Sequence, residues 1–124
     1  MKLFTPAEAN AILPSIIPKL ELIRSLYARV EGLRDAARAA ASASDFGGGM
    51  EGGTTYVNTL YKIGKLTTDL YELGIEIKDP SRGLIDFPSM RGDRVVLLCW
   101  QLGEDEEIGW WHETDGGFAG RQPL

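Results

Sequence analysis

The apolar residues of this chain change their period once, at Gly74. Before it they recur at helical spacing, as Ile16, Leu20, Ile23, Tyr27, Val30 and Ala37 with Ile17, Leu26 and Leu33 widening the stripe. The same spacing returns as Tyr56, Leu60, Ile63, Leu70 and Leu73, with Thr67 near the stripe. After Gly74 they alternate, which is the period of strands. Helices gathered in one half of a chain and strands in the other bury their apolar surface by laying the helices on one face of an antiparallel sheet. The fold class expected is therefore α+β: a long antiparallel α-helical hairpin with a short N-terminal helix, packed on a small antiparallel β-meander of about four strands.

The boundaries follow from local chemistry. Thr5-Pro6-Ala7-Glu8 is a helix start, with a capping hydroxyl, a proline at the first helical position and a glutamate able to reach back. Pro14 has no amide hydrogen to donate, which predicts a break after Leu13 and a second helix that Pro18 kinks. One domain of 124 residues is expected, with N-terminal helices over 1–44, a flexible glycine-rich loop over 45–53 and a second long helix over 54–74. A meander over 75–112 and an ordered C-terminal tail over 113–124 complete it. Within the meander, strands are expected at 75–78, at 84–87 where Pro88 stops the chain, at 94–101 and at 107–112. Parity puts Val96, Leu98 and Trp100 on one face of the third strand and Val95, Leu97 and Cys99 on the other. Both faces are apolar, and the helices can cover only one of them. The tail, or a second subunit, is left to cover the other. In the last strand Ile108, Trp110 and His112 are expected to share a face.

Composition sets outer limits. A chain of this length buries roughly two-thirds of the surface it exposes when unfolded, so it needs neither disulfide nor metal to fold. No apolar run approaches a membrane span of roughly 18 to 20 residues. The opening MKLFTPAEAN lacks the pattern of a secretory signal, so a cytoplasmic location is expected, and a single cysteine agrees with it. A net charge of −5 repels a phosphate backbone, which argues against nucleic acid as a partner.

The runs GIEIKDPSRGLIDFP and VVLLCWQLGEDEEIGWWHETDGGFAGRQPL contain D-F-P, C-W, W-H and G-F-x-G-R-x-P-L in order. With the opening F-T-P-A-E-A-N-A-I-L-P, they resemble an uncharacterised bacterial family, the domain of unknown function 2203, over essentially the whole chain. The resemblance implies no activity, substrate or catalytic residue.

Chemistry-bearing residues concentrate near the C-terminus. His112 has the residue type of a general base or metal ligand, with Asp86, Glu113 or Asp115 as partners and Arg121 as an anion clamp. Trp111 stands beside them. The alternative is structural: a hydrogen-bonded histidine, an Asp86 paired with Arg94 or Arg121, and a tail pinned by Phe118 and Leu124. Cys99, in an apolar strand, has the setting of an inert thiol. No H-E-x-x-H or paired C-x-x-C exists, so no cofactor and no metal are expected. The block Glu104 to Glu107 lacks the ligand spacing of a calcium loop and is expected to be a solvated turn. The glycine run lacks the lysine of a phosphate-binding loop.

Three functions fit these residues. The first is a small binding or assembly module acting as a homodimer through its long helices. The second is a small enzyme or anionic-ligand-binding protein with a pocket at the junction of sheet and tail, built from His112, Asp86 and Arg121. The third is a metal-binding protein.

Overall fold

The structure, a computed structural model, describes residues 2–42 and 53–124. The chain is α+β: two helices, α1 (Pro6–Ser42) and α2 (Gly53–Glu72), and an antiparallel sheet of five strands. The strands are β1 (Glu76–Asp79), β2 (Leu84–Arg91), β3 (Arg94–Gln101), β4 (Trp110–His112) and β5 (Gln122–Pro123), in that spatial order. Residues 45–52 of the expected glycine-rich loop lie outside the described residues, and Gly53 opens α2.

The start of α1 is the expected capping box. The Glu8 amide donates to Thr5 Oγ1 at 3.1 Å and the Thr5 amide donates to Glu8 Oε1 at 3.0 Å. That backbone bond holds the Glu8 carboxyl below its ordinary value. The break expected after Leu13 does not occur, and α1 runs through Pro14 and Pro18. Both prolines lie on the exposed face, while Leu13, Ile16, Leu20 and Ile23 are fully buried on the other. The bonds that proline removes are thus on the side where water can satisfy the freed carbonyls, and the helix continues past them. There is accordingly no separate short N-terminal helix.

In α2 the buried row is Thr59 and Leu70, with Ile63 and Leu66 partly buried, whereas Leu60 and Leu73 of the expected stripe are exposed. The helix ends in a Schellman motif. Gly74, at φ +90°, donates to Tyr71 O at 2.9 Å, and Ile75 donates to Leu70 O at 3.0 Å. Leu70 and Ile75 are both fully buried, which supplies the apolar contact of that cap and fixes where the chain enters β1.

β2 also outruns expectation, because it passes through Pro88 to Arg91. The Pro88 carbonyl accepts from the Phe4 amide at 2.7 Å, so this residue's backbone polar groups point away from β3. β1 pairs only as far as Asp86 on that side, so a missing N–H costs no ladder bond. With Gly92 and Asp93 as a two-residue turn, Arg91 pairs with Arg94 and every later pair follows to Leu84 with Gln101.

The fifth strand, where about four were expected, is the tail itself: Gln122 and Pro123 pair with Trp111 and Trp110. β4 is shorter than expected. Ile108 precedes it, its amide donating to Asn10 Oδ1 at 2.7 Å, and it packs in the core with Trp111 and so not on the Trp110 and His112 face.

The core lies between α1, α2 and the inner face of the sheet, where Ile85, Phe87, Val96, Leu98, Trp100 and Trp111 meet the helices. Leu20→Ala should cost about 2–5 kcal/mol of unfolding free energy, the range for a fully buried leucine. Leu22→Ala, on the exposed face of the same helix, should stay within about 0.5 kcal/mol. Urea denaturation of the two variants beside the parent checks this; equal losses would place the wrong face of α1 inward.

Candidate functional site

The face of the sheet turned away from the helices carries a buried polar cluster of Asp86, Cys99 and His112. Register assembles it. Asp86 stands directly opposite Cys99, Cys99 opposite Trp110, and His112 two residues further along the same face opposite Leu97. All three are at most 2 % exposed. Taking one ligand atom from each, the carboxylate, thiol and imidazole atoms lie within 4.8 Å of one another.

The hydrogen bonds of His112 fix the protons. Nδ1 is 2.7 Å from the Glu113 carbonyl, which can only accept, so Nδ1 carries a hydrogen and donates it. Nε2 is 3.0 Å from each carboxylate oxygen of Asp86. Both nitrogens therefore face acceptors. Burial pushes the Asp86 carboxyl up, and the neighbouring His112 opposes it. Burial likewise pushes the Cys99 thiol up, to about 12, with the Asp86 charge adding to the effect. By itself Cys99 is thus a neutral thiol and no nucleophile.

A cavity of about 240 Å³ opens beside the cluster. Asp86, His112 and Lys78 line it from the strands, and Thr114, Asp115 and Phe118 line it from the tail. The segment after β4 leaves the sheet at Glu113, whose carboxylate takes a two-pronged grip from Arg94. It makes a 3-10 turn over Phe118–Gly120 and returns as β5.

Arg121 closes the return. It donates to Glu104 Oε2 at 2.6 Å, and its guanidinium lies over the rings of Trp110 and Phe118, 4.8 and 4.7 Å from their centroids. Glu104 also receives the Gln101 amide at 2.7 Å, so this member of the acidic block belongs to a clamp and not to a solvated turn. Phe118 and Leu124 are 37% and 45% exposed, so they do not pin the tail by burial. The Arg121 clamp and the Leu124 amide on Gly109 O at 2.9 Å do so instead.

Of the residues singled out from sequence, Asp86, His112 and Asp115 share one site. Arg121 is committed to Glu104, and Trp111 faces the core on the opposite side of the sheet under the Arg91 guanidinium. Asp86 pairs with His112, and with neither Arg94 nor Arg121. Cys99 and Lys78 were not singled out as partners. The signal for Cys99 was the Gly92-Asp93 turn: counting pairs back from Arg91 and Arg94 sets Cys99 opposite Asp86.

The architecture is thus a two-helix layer on a five-strand antiparallel sheet, with a strapped polar cluster on the outer face. The chain belongs to the family of uncharacterized conserved proteins DUF2203, whose model matches residues 2–124. No curated protein and no solved structure matches it. Among the described residues no helix is long and apolar enough to cross a membrane.

Arg121→Ala should release the tail at a cost of roughly 1.5–3 kcal/mol, the range for a hydrogen bond to a charged partner. Hydrogen exchange should rise over residues 113–124 and leave α1 protected. Unchanged tail protection would mean that β5 holds without the clamp.

Proposed function

We propose that this protein is a small cytoplasmic binding and assembly module that works as a homodimer, joined through an antiparallel hairpin of α1 and α2. The carrying observation is a row on α2: Val57, Leu60 and Tyr61 are 62%, 40% and 70% exposed and fall with Gly64 on one helical face. Gly64 costs about 1 kcal/mol in a helix interior relative to alanine, and a Cβ there would meet nothing within 4 Å. Close approach within the chain does not account for it, whereas a helix of a second copy lying on this row would. Two further facts support the hairpin. Arg34 lies near Tyr56, while Leu20 and Ile23 share a cluster with Leu70, so later residues of α1 lie by earlier residues of α2. α1 has 37 residues, about 55 Å, and its last fully buried side chain among the described ones is Val30, which leaves its outer end clear of the sheet.

Sedimentation equilibrium at micromolar concentration should give a dimer, and Leu60→Glu should shift it to monomer with helix content retained. A parent chain that sediments as a monomer sinks the reading.

A second reading, a small anionic ligand in the outer-face cavity, is favoured by Lys78 lining it together with His112. Inorganic phosphate at millimolar concentration should then raise the unfolding temperature of the parent and leave Lys78→Glu unmoved. An equal rise in both would assign the effect to other surface cations.

A further inference from the structure

The geometry points to a divalent metal site of the zinc class at Asp86, Cys99 and His112, with the fourth coordination position open to the cavity beside them. The inference is independent of assembly through the helices.

Donor placement is the first support. A tetrahedral ion with bonds of about 2.0–2.3 Å sets its donor atoms about 3.3–3.7 Å apart. The carboxylate, thiol and imidazole atoms already lie within 4.8 Å, with Nε2 3.0 Å from Asp86. Movements of about 1 Å in three side chains suffice to reach that spacing.

The second support is orientation. His112 Nδ1 is spent on the Glu113 carbonyl at 2.7 Å, which leaves Nε2 as the metal-facing atom. Ligating histidines are typically held by this kind of bond through the other nitrogen, because it fixes both tautomer and ring plane. Glu113 is itself held by Arg94, so the carbonyl that orients the ring is anchored on β3.

Donor chemistry is the third. A mixed sulfur, nitrogen and oxygen set favours a zinc-class ion over calcium or magnesium, which take oxygen. Three protein donors with one position open is the pattern of sites that keep a bound water or small ligand.

The test uses the full chain, prepared without a histidine tag, stripped with chelator and titrated with Co²⁺. Binding should saturate at one ion per chain, with a thiolate-to-cobalt charge-transfer absorption in the near ultraviolet. Cys99→Ala should abolish that absorption, and His112→Ala should weaken binding at least about tenfold. Circular dichroism of the metal-free variants shows whether each folds, and Cys99→Ser, close in size, serves where Cys99→Ala does not. An absent charge-transfer absorption in the parent, or one that survives loss of the Cys99 sulfur, overturns the site. So does weak binding of several ions that no substitution in the cluster alters, which marks surface carboxylates. A dimer that persists without metal binding would overturn this inference alone.

Discussion

The strand β3 is buried on both faces, and a two-helix layer can cover one. Val96, Leu98 and Trp100 meet the helices, while Leu97 and Cys99 lie at 5% and 1% exposure on the other side. Much of the rest follows from that second face. Apolar area left open on a small sheet costs roughly 25 cal/mol per Å² relative to burial, so the chain after β4 turns back over it. The Arg121 and Glu104 clamp and the short β5 hold the return in place. A tail with few buried apolar anchors needs such polar fastening, since Phe118 and Leu124 remain substantially exposed.

Coverage of the outer face also makes Asp86 and His112 a buried pair, and burial decides their chemistry. An isolated charge there would be costly, and the partner beside it offsets part of that cost. Apolar residues of similar volume would serve stability as well or better, because buried ion pairs contribute little net stabilisation. Stability alone thus gives weak reason for placing a carboxylate, an imidazole and a thiol together on this face. Their orientation, with Nδ1 tied to a backbone carbonyl and Nε2 turned inward, is what a ligand set requires.

Much of this was legible from sequence, in proportion to how local its cause is. The capping box at Thr5 and Glu8 and the change of period at Gly74 depend on a few adjacent residues and were read directly. The parity of β3 was read from alternation. Errors arose wherever a distant partner removed a local penalty. Pro14 read as a break because proline costs a hydrogen bond, and the stripe from Leu13 to Ile23 outweighs that cost. Pro88 read as a stop, yet the bond from Phe4 shows that its missing donor faces no strand. That misreading had a consequence for the site. A β2 ending at Phe87 has no continuous ladder to the Gly92-Asp93 turn, and without the ladder Cys99 is one more apolar-strand residue and not the neighbour of Asp86.

The two proposed features occupy different parts of the molecule and would place different demands on it. The row Val57, Leu60, Tyr61 and Gly64 is on α2, which contacts α1 and β1. The cluster is on the sheet face turned away from the helices, under a strap joined to β3 and β4. The covalent path from one to the other runs through the Gly74 cap and the β1 to β3 ladder. Coupling between the sites would have to travel through a core with no second arrangement in view. On the proposed reading the two are additive: helices that join two copies leave each copy its own cluster, and a change at one leaves the affinity of the other unaltered.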